Sequence, residues 1–251
     1  MVEPAALVAA VIHWIDQVDS TNRTAQSTDF GHGDVIASLD QTAGRGRMDR
    51  TWSMAPGVGV ALTIVVSRTA LGSPVHMTRL PLKVAVALAG VIAEHAPQGV
   101  RVVVKWPNDV LVGDRKVAGI LIESLDADRL AIGIGVNLAG VPEGLPADTA
   151  TSLSAEHIAL TASTLVPALA EAVIRCAQAL DEDIALADLQ NAIDTVGRQV
   201  RIELPDGRFV TGRATGLGST GSLMVDTANG TEEFVAGDVT HLRLEGDEAV
   251  R

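Results

Sequence analysis

"VRVVVKWPNDVLVGDRKVAGILIESLDADRLAIGIGVNL", residues 100 to 138, decides the fold. Its Val, Ile and Leu fall in short runs broken by turn residues. "VRVVVKW", "DVLVGDRKVAGILIES" and "RLAIGIGVNL" therefore read as three or four neighbouring strands, with turns at "PND" and "GDR". The glycines of "GIGVNL" (133 to 138) superficially suggest a dinucleotide-binding loop, but the third glycine and the following helix are missing, so a Rossmann reading is rejected.

Outward toward the N-terminus, residues 76 to 96 carry apolar positions at helical spacing that stop before Pro97. "GDVIASLD" (33 to 40) and "GVGVALTIVV" (57 to 66) are β-rich and predict two neighbouring strands joined by "QTAGRGRMDRTW" (41 to 52). Residues 4 to 18 read as a short amphipathic helix, and "DSTNRTAQ" (19 to 26) supplies capping side chains for a second helix starting near Thr21. Outward toward the C-terminus, residues 153 to 196 are alanine-rich at helical period and stop at Gly197. Beyond it short apolar strands alternate with Asp206-Gly207 and Asn229-Gly230, strong hairpin signals that predict a small closed β-barrel. Strands cluster, helices flank them, and the division falls at 1–196 and 197–251.

The 251 residues are 47 % hydrophobic but include only three Phe, three Trp and no Tyr, so the core must be aliphatic. The formal net charge of −12 repels phosphate backbones and argues against generic nucleic-acid binding. No apolar run approaches the roughly 20 residues that span a bilayer. The N-terminus lacks a secretory pattern and the lone Cys176 can form no intrachain disulfide, so a cytoplasmic protein with an inert buried thiol is expected. Of six histidines none forms a spaced metal-ligand set; His13, His76 and His95 fall within predicted helices. No G-x-S-x-G elbow is present.

Against this acidic background, Arg45, Arg47 and Arg50 stand against a single Asp49, a local charge near +2, with Gly44 and Gly46 permitting close backbone approach. Arginine forks suit carboxylate and phosphate oxygens, so the loop is suited to a small, highly charged anion; a solvated turn with surface arginines is the alternative. In "KWPNDVLVGDRKVAGI" (105 to 120), Pro107 holds Trp106 extended and keeps the corner from becoming helical. Lys105, Asn108, Asp109 and Lys116, with Gly119 leaving space, could hold a metal–phosphate ligand with Asp109 facing the ion, or could simply be a β-turn with solvated lysines.

Taken in order, "DSTN", "QTAGRGR", "KWPNDV", "RKVAGIL" and "GIGVNL" resemble the biotin–protein ligases. The resemblance runs from about Asp19 to about Leu244. It implies an α+β fold, with a central mixed β-sheet flanked by helices like that of class II aminoacyl-tRNA synthetases, and a C-terminal Src-homology-3-like β-barrel. It also implies activation of biotin by ATP to biotinyl-5′-AMP and transfer to a lysine of a biotin carboxyl carrier domain, as in acetyl-CoA carboxylase. On these motifs Ser20, Thr21, Asn22 and Gln41 would meet biotin's polar head. Gly44, Arg45, Gly46 and Arg47 would close over biotin and adenylate, and Gly119 would let backbone approach.

Lys116 would be the central catalytic cation, assisted by Arg45 and Arg47, and Arg47, Arg50, Trp52, Lys105, Asn108, Lys116 and Asn137 would surround ATP. Asp109 would orient Mg²⁺ or a lysine. Many members carry glycine where Asp49 stands, which puts the loop's closure and the ATP role of Arg50 in question. Only about eighteen residues precede "DSTN", too few for the DNA-binding domain of the family's repressors, so a monofunctional ligase without DNA or membrane partners is expected. A lipoate–protein ligase and a non-catalytic biotin or nucleotide sensor are the competing readings.

Overall fold

A computed structural model describes residues 9–242 apart from 28, 49, 73, 147 and 178–185. The β-rich runs become a seven-stranded sheet: β1 (Val11–Trp14), β2 (Asp34–Ser38), β3 (Gly59–Ser67), β4 (Val102–Lys105), β5 (Asp109–Val112), β6 (Arg115–Ser124) and β7 (Arg129–Asn137). Their order is β1-β2-β3-β7-β6-β5-β4; β1 runs parallel to β2 and every other pairing is antiparallel, so the sheet is mixed as expected. The arginine loop does join two neighbours, β2 and β3.

Alternation along the central strands separates two chemistries. Val60, Leu62, Ile64 and Val66 of β3 and Ile132, Ile134 and Val136 of β7 belong to the main aliphatic core, with α2 (Pro74–Ala93) and α3 (Ala162–Ala177). The opposite face presents Ala61 and Thr63 from β3, Gly133 and Gly135 from β7, and Gly119, Leu121 and Glu123 from β6. Register aligns Ala61 with Gly135 and Gly135 with Gly119, a row of minimal side chains across three strands. Such a row leaves a hollow in the sheet's surface, roofed on one side by α1 (Thr21–Thr24).

Three expectations change. Residues 11–14 are an edge strand, not part of a helix, while residues 4–8 lie outside the described residues. The i, i+3 spacing of exposed Val11 and Trp14 imitates a helix face, but pairing with β2 satisfies the backbone and decides the outcome. His13 is accordingly in a strand, with Nε2 2.8 Å from Asp34 Oδ1, and His95 lies just past the end of α2. Residues 153–161 are not helical: Thr151 N–H donates to Lys116 O and Leu153 N–H to Asn137 O, so this backbone is tied to the ends of β6 and β7. Helix resumes in α3, where Cys176 is buried, and in α4 (Leu186–Ala192).

The C-terminal module comprises β8 (Gln199–Glu203), β9 (Phe209–Leu217), β10 (Leu223–Thr227), β11 (Gly230–Phe234) and β12 (Asp238–His241), antiparallel in the order β11-β10-β9-β8-β12. β11 and β12 do not pair with each other, so among the described residues the ladder is open rather than a closed ring. Its Val200, Ile202, Ala214 and Val239 merge into the main core. Trp106 crosses the seam, its indole N–H donating to Gly221 O at 3.0 Å.

Candidate active site

The hollow is a cleft with about 870 Å³ of empty space including its mouth, and it brings together Ser20, Thr21, Asn22, Gln41, Arg45, Gly46, Arg47, Arg50, Trp52, Asn108, Asp109, Lys116 and Gly119. The arginine loop and the lysine strand therefore converge. Lys116 reaches the cleft through a β-bulge. Lys116 and Gly119 are an odd number of residues apart and would face opposite sides of a regular strand, but the register shifts between Val110 and Leu111 so that Val117 is the extra residue. The ammonium turns to the cleft side, where a Cβ on Gly119 would lie 3.1 Å from Nζ.

Lys116 Nζ sits 2.6 Å from Asp109 Oδ1, and Lys105 Nζ 3.5 Å from Asp109 Oδ2. Burial pushes the Asp109 carboxyl upward, but the two lysines outweigh it and hold the group below its usual range. Both carboxylate oxygens are thus committed to ammonium groups, and no group of three metal-ligating side chains occurs among the described residues. The donor set fits an anchor for lysines better than a magnesium ligand. Lys105 itself stands behind Asp109 and does not line the cleft.

Across the cleft, Arg47 donates to Asn108 Oδ1 at 3.3 Å. Burial pushes its guanidinium below the ordinary value against the pull of Asp109 and Asp238, yet it begins so far above neutrality that it stays a cation. Arg50 pairs with Asp238, and that hydrogen bond raises its pKa. Arg45 NH2 lies 2.9 Å from Glu123 Oε1. The Trp52 ring is 5.1 Å from Lys116 Nζ; its indole N–H is buried without a partner and occupies the space that a side chain at Gly135 would need. Met48 adopts φ 54°, and Asp49 lies outside the described residues.

The far end of the cleft is neutral. Gln41 Oε1 accepts from the Thr21 N–H at 2.9 Å while Gln41 Nε2 donates to Trp52 O at 3.0 Å, fixing the amide. Gly44 backs this pair rather than the cleft: a Cβ there would come within 2.0 Å of Gln41 Nε2. Ser20 is an N-cap in position only, for its side chain makes no capping bond.

Asn137 is not brought into the cleft; it is fully buried, and Nδ2 donates to Thr151 O at 2.8 Å, tying down the segment after β7. Glu123, Thr63, Gly133, Gly135 and Asp238 escaped the sequence reading. The glycines had a signal, two of them at i, i+2 in a strand with nothing to gain from flexibility; Glu123 and Asp238 had none, because their roles depend on register and on docking of the C-terminal module.

A mixed sheet carrying an Arg/Lys-lined cleft with a neutral polar end defines a protein suited to holding a small anionic ligand. Residues 14–137 match the Biotin/lipoate A/B protein ligase family and residues 195–242 the Biotin protein ligase C terminal domain. A relative from Mycobacterium tuberculosis, a biotin--[acetyl-CoA-carboxylase] ligase, is 34 % identical over 91 % of this chain and 88 % of its own length. The chain belongs to the biotin protein ligase family. The Aquifex aeolicus biotin protein ligase solved with biotin and ATP shares the fold at 22 % identity, with a TM-score of 0.76 over 93 % of this chain and 99 % of that one. The Leishmania major enzyme solved with biotinyl-5-AMP is 28 % identical, with a TM-score of 0.65 over 90 % of this chain and 98 % of that one. Among the described residues no helix is long and apolar enough to cross a membrane.

Proposed function

We propose that the protein is a cytoplasmic, ATP-dependent biotin–protein ligase whose catalytic unit is residues 1–196, completed by residues 197–251. The observation that supports it is the shared cleft of Arg47, Lys116 and the Thr21–Gln41 pair, cationic at one end and neutral at the other. Biotin's cyclic urea lies at the neutral end, and its carboxylate points toward Lys116.

In the first step a carboxylate oxygen attacks the α-phosphorus of ATP and the bond to pyrophosphate breaks. Lys116, held by Asp109, neutralises charge on both reacting groups, and Arg47 and Arg50 meet the phosphates. Trp52 offers a ring face for adenine. The mixed anhydride remains under Arg45 and Arg47, away from water, until the ε-amine of a carrier-domain lysine attacks its carbonyl and AMP departs. The carrier is the biotin carboxyl carrier domain of an acyl-CoA carboxylase. Positioning and charge carry both steps, so no protein nucleophile is required.

Purified protein given biotin, ATP and Mg²⁺ is expected to release pyrophosphate and to label a carrier-domain lysine. Turnover with lipoate instead of biotin would move the assignment to the lipoate branch, and no turnover with either would make the cleft a sensor.

A further inference from the structure

Glu123 bridges two otherwise separate parts of the cleft. Oε1 is 2.9 Å from Arg45 NH2, and Oε2 accepts from Asn22 Nδ2 at 2.7 Å. A carboxylate can only accept, as can the Leu121 carbonyl at a longer 3.4 Å from the same nitrogen, so the Asn22 amide has one permitted orientation, with Oδ1 turned to Thr63 Oγ1 at 2.6 Å. Gly133 leaves the room for that orientation: a Cβ there would come within 2.4 Å of Oδ1.

Thr63 has one hydroxyl proton, and Asn22 Oδ1, which cannot donate, claims it. That leaves Thr63 with no proton to give the Thr21 hydroxyl 2.8 Å away, a contact in which it could otherwise donate. The other neighbour of that hydroxyl, Gln41 Oε1 at 3.3 Å, also accepts only. The Thr21 proton is therefore drawn inward, and Thr21 turns a lone pair toward the cleft.

We infer that Glu123 is a positioning residue that sets the hydrogen-bond polarity of the cleft's neutral end through Asn22, Thr63 and Thr21, so that this end accepts a ligand N–H. The inference rests on the biotin reading above and deepens it. A cyclic urea supplies the N–H; a dithiolane head on the same acyl chain supplies none and leaves the buried Thr21 acceptor unpaired, so the relay selects between the two acids.

Glu123→Gln keeps size but replaces an obligate acceptor with a group that can also donate, which lets Asn22 and the hydroxyls reverse, the 3.4 Å contact to Leu121 O being too long to hold the amide alone. Steady-state pyrophosphate release is expected to show KM for biotin raised about tenfold, the loss of one ligand hydrogen bond, with KM for ATP within about twofold of wild type. Thr63→Val breaks the relay while sparing the Glu123–Arg45 pair and is expected to raise KM for biotin likewise; Glu123→Asp, still an obligate acceptor, is expected to restore most of the affinity. An unchanged KM for biotin in Glu123→Gln, an equal rise in both KM values, or a normal Thr63→Val variant overturns the relay. An inactive wild-type enzyme sinks the biotin reading itself, which separates the two failures.

Discussion

At the scale of single residues, Lys116 has two jobs that a substitution separates. It is the cation nearest the proposed reacting groups, and it is the closer partner of a carboxylate that is only 6 % exposed. Lys116→Ala is expected to slow adenylate formation about 10²–10³-fold, the usual scale for one preorganised charge-stabilising group. It should also lower stability by about 1–3 kcal/mol, because Asp109 keeps only Lys105 at 3.5 Å. Adding Asp109→Asn should recover most of the stability and none of the rate, as read by urea midpoints beside single-turnover pyrophosphate release. A double variant no more stable than Lys116→Ala would remove the stranded carboxylate as the cause. The identity of Lys116 as a candidate cation was legible from "DRKVAGI". Its direction was not, since counting from Gly119 puts it on the wrong face and only pairing with β5 reveals the bulge.

At the scale of elements, the cleft exists because β3, β6 and β7 place small residues in one row. Gly135→Ala tests this, since its Cβ would come within 2.0 Å of the Trp52 indole nitrogen and 2.4 Å of Cε2. Rings do not compress, so Trp52 must leave the strand and carry residues 50–54 with it. Expected are a red-shifted tryptophan emission and a KM for ATP about tenfold higher, with strand pairing intact by far-ultraviolet circular dichroism. Unchanged emission would mean that the sheet, not the indole, gives way. Strands β2 to β7 were readable because runs of branched aliphatics bounded by Gly, Pro, Asn and Asp carry their own signal. The segment 153–161 was not, for its pattern permits helix while Leu153 and Ser154 donate to Asn137 O and Leu138 O at the end of β7, more than a dozen residues away in sequence.

At the scale of the whole molecule, the C-terminal module reaches the cleft through Asp238 and is fastened at a seam behind the lysine corner. There Trp106 N–H donates to Thr195 Oγ1 at 3.0 Å, and Thr195 Oγ1 lies 2.9 Å from His241 Nε2 on β12. Burial, with Arg198 and Lys105 nearby, lowers the His241 pKa from its ordinary 6.5 to about 4, while Asp194 and Asp114 pull weakly the other way. The folded protein thus prefers the neutral ring, whose Nε2 shares a hydrogen bond with the Thr195 hydroxyl. Because the folded pKa is depressed, the unfolded chain binds the proton more readily; this stability is complete above pH 6.5 and is lost as pH falls toward 4. After discounting for the ring's partial exposure, the loss is about 2 kcal/mol. His241→Gln keeps an acceptor for Thr195 but cannot take up a proton in this range. The difference in urea-unfolding free energy between wild type and variant should therefore shift against wild type by that amount between pH 7 and pH 4, and Trp106, whose amide and indole both hold the seam, should report it by fluorescence. Parallel pH profiles for the two proteins would place the acid sensitivity elsewhere and leave His241 as a packing residue.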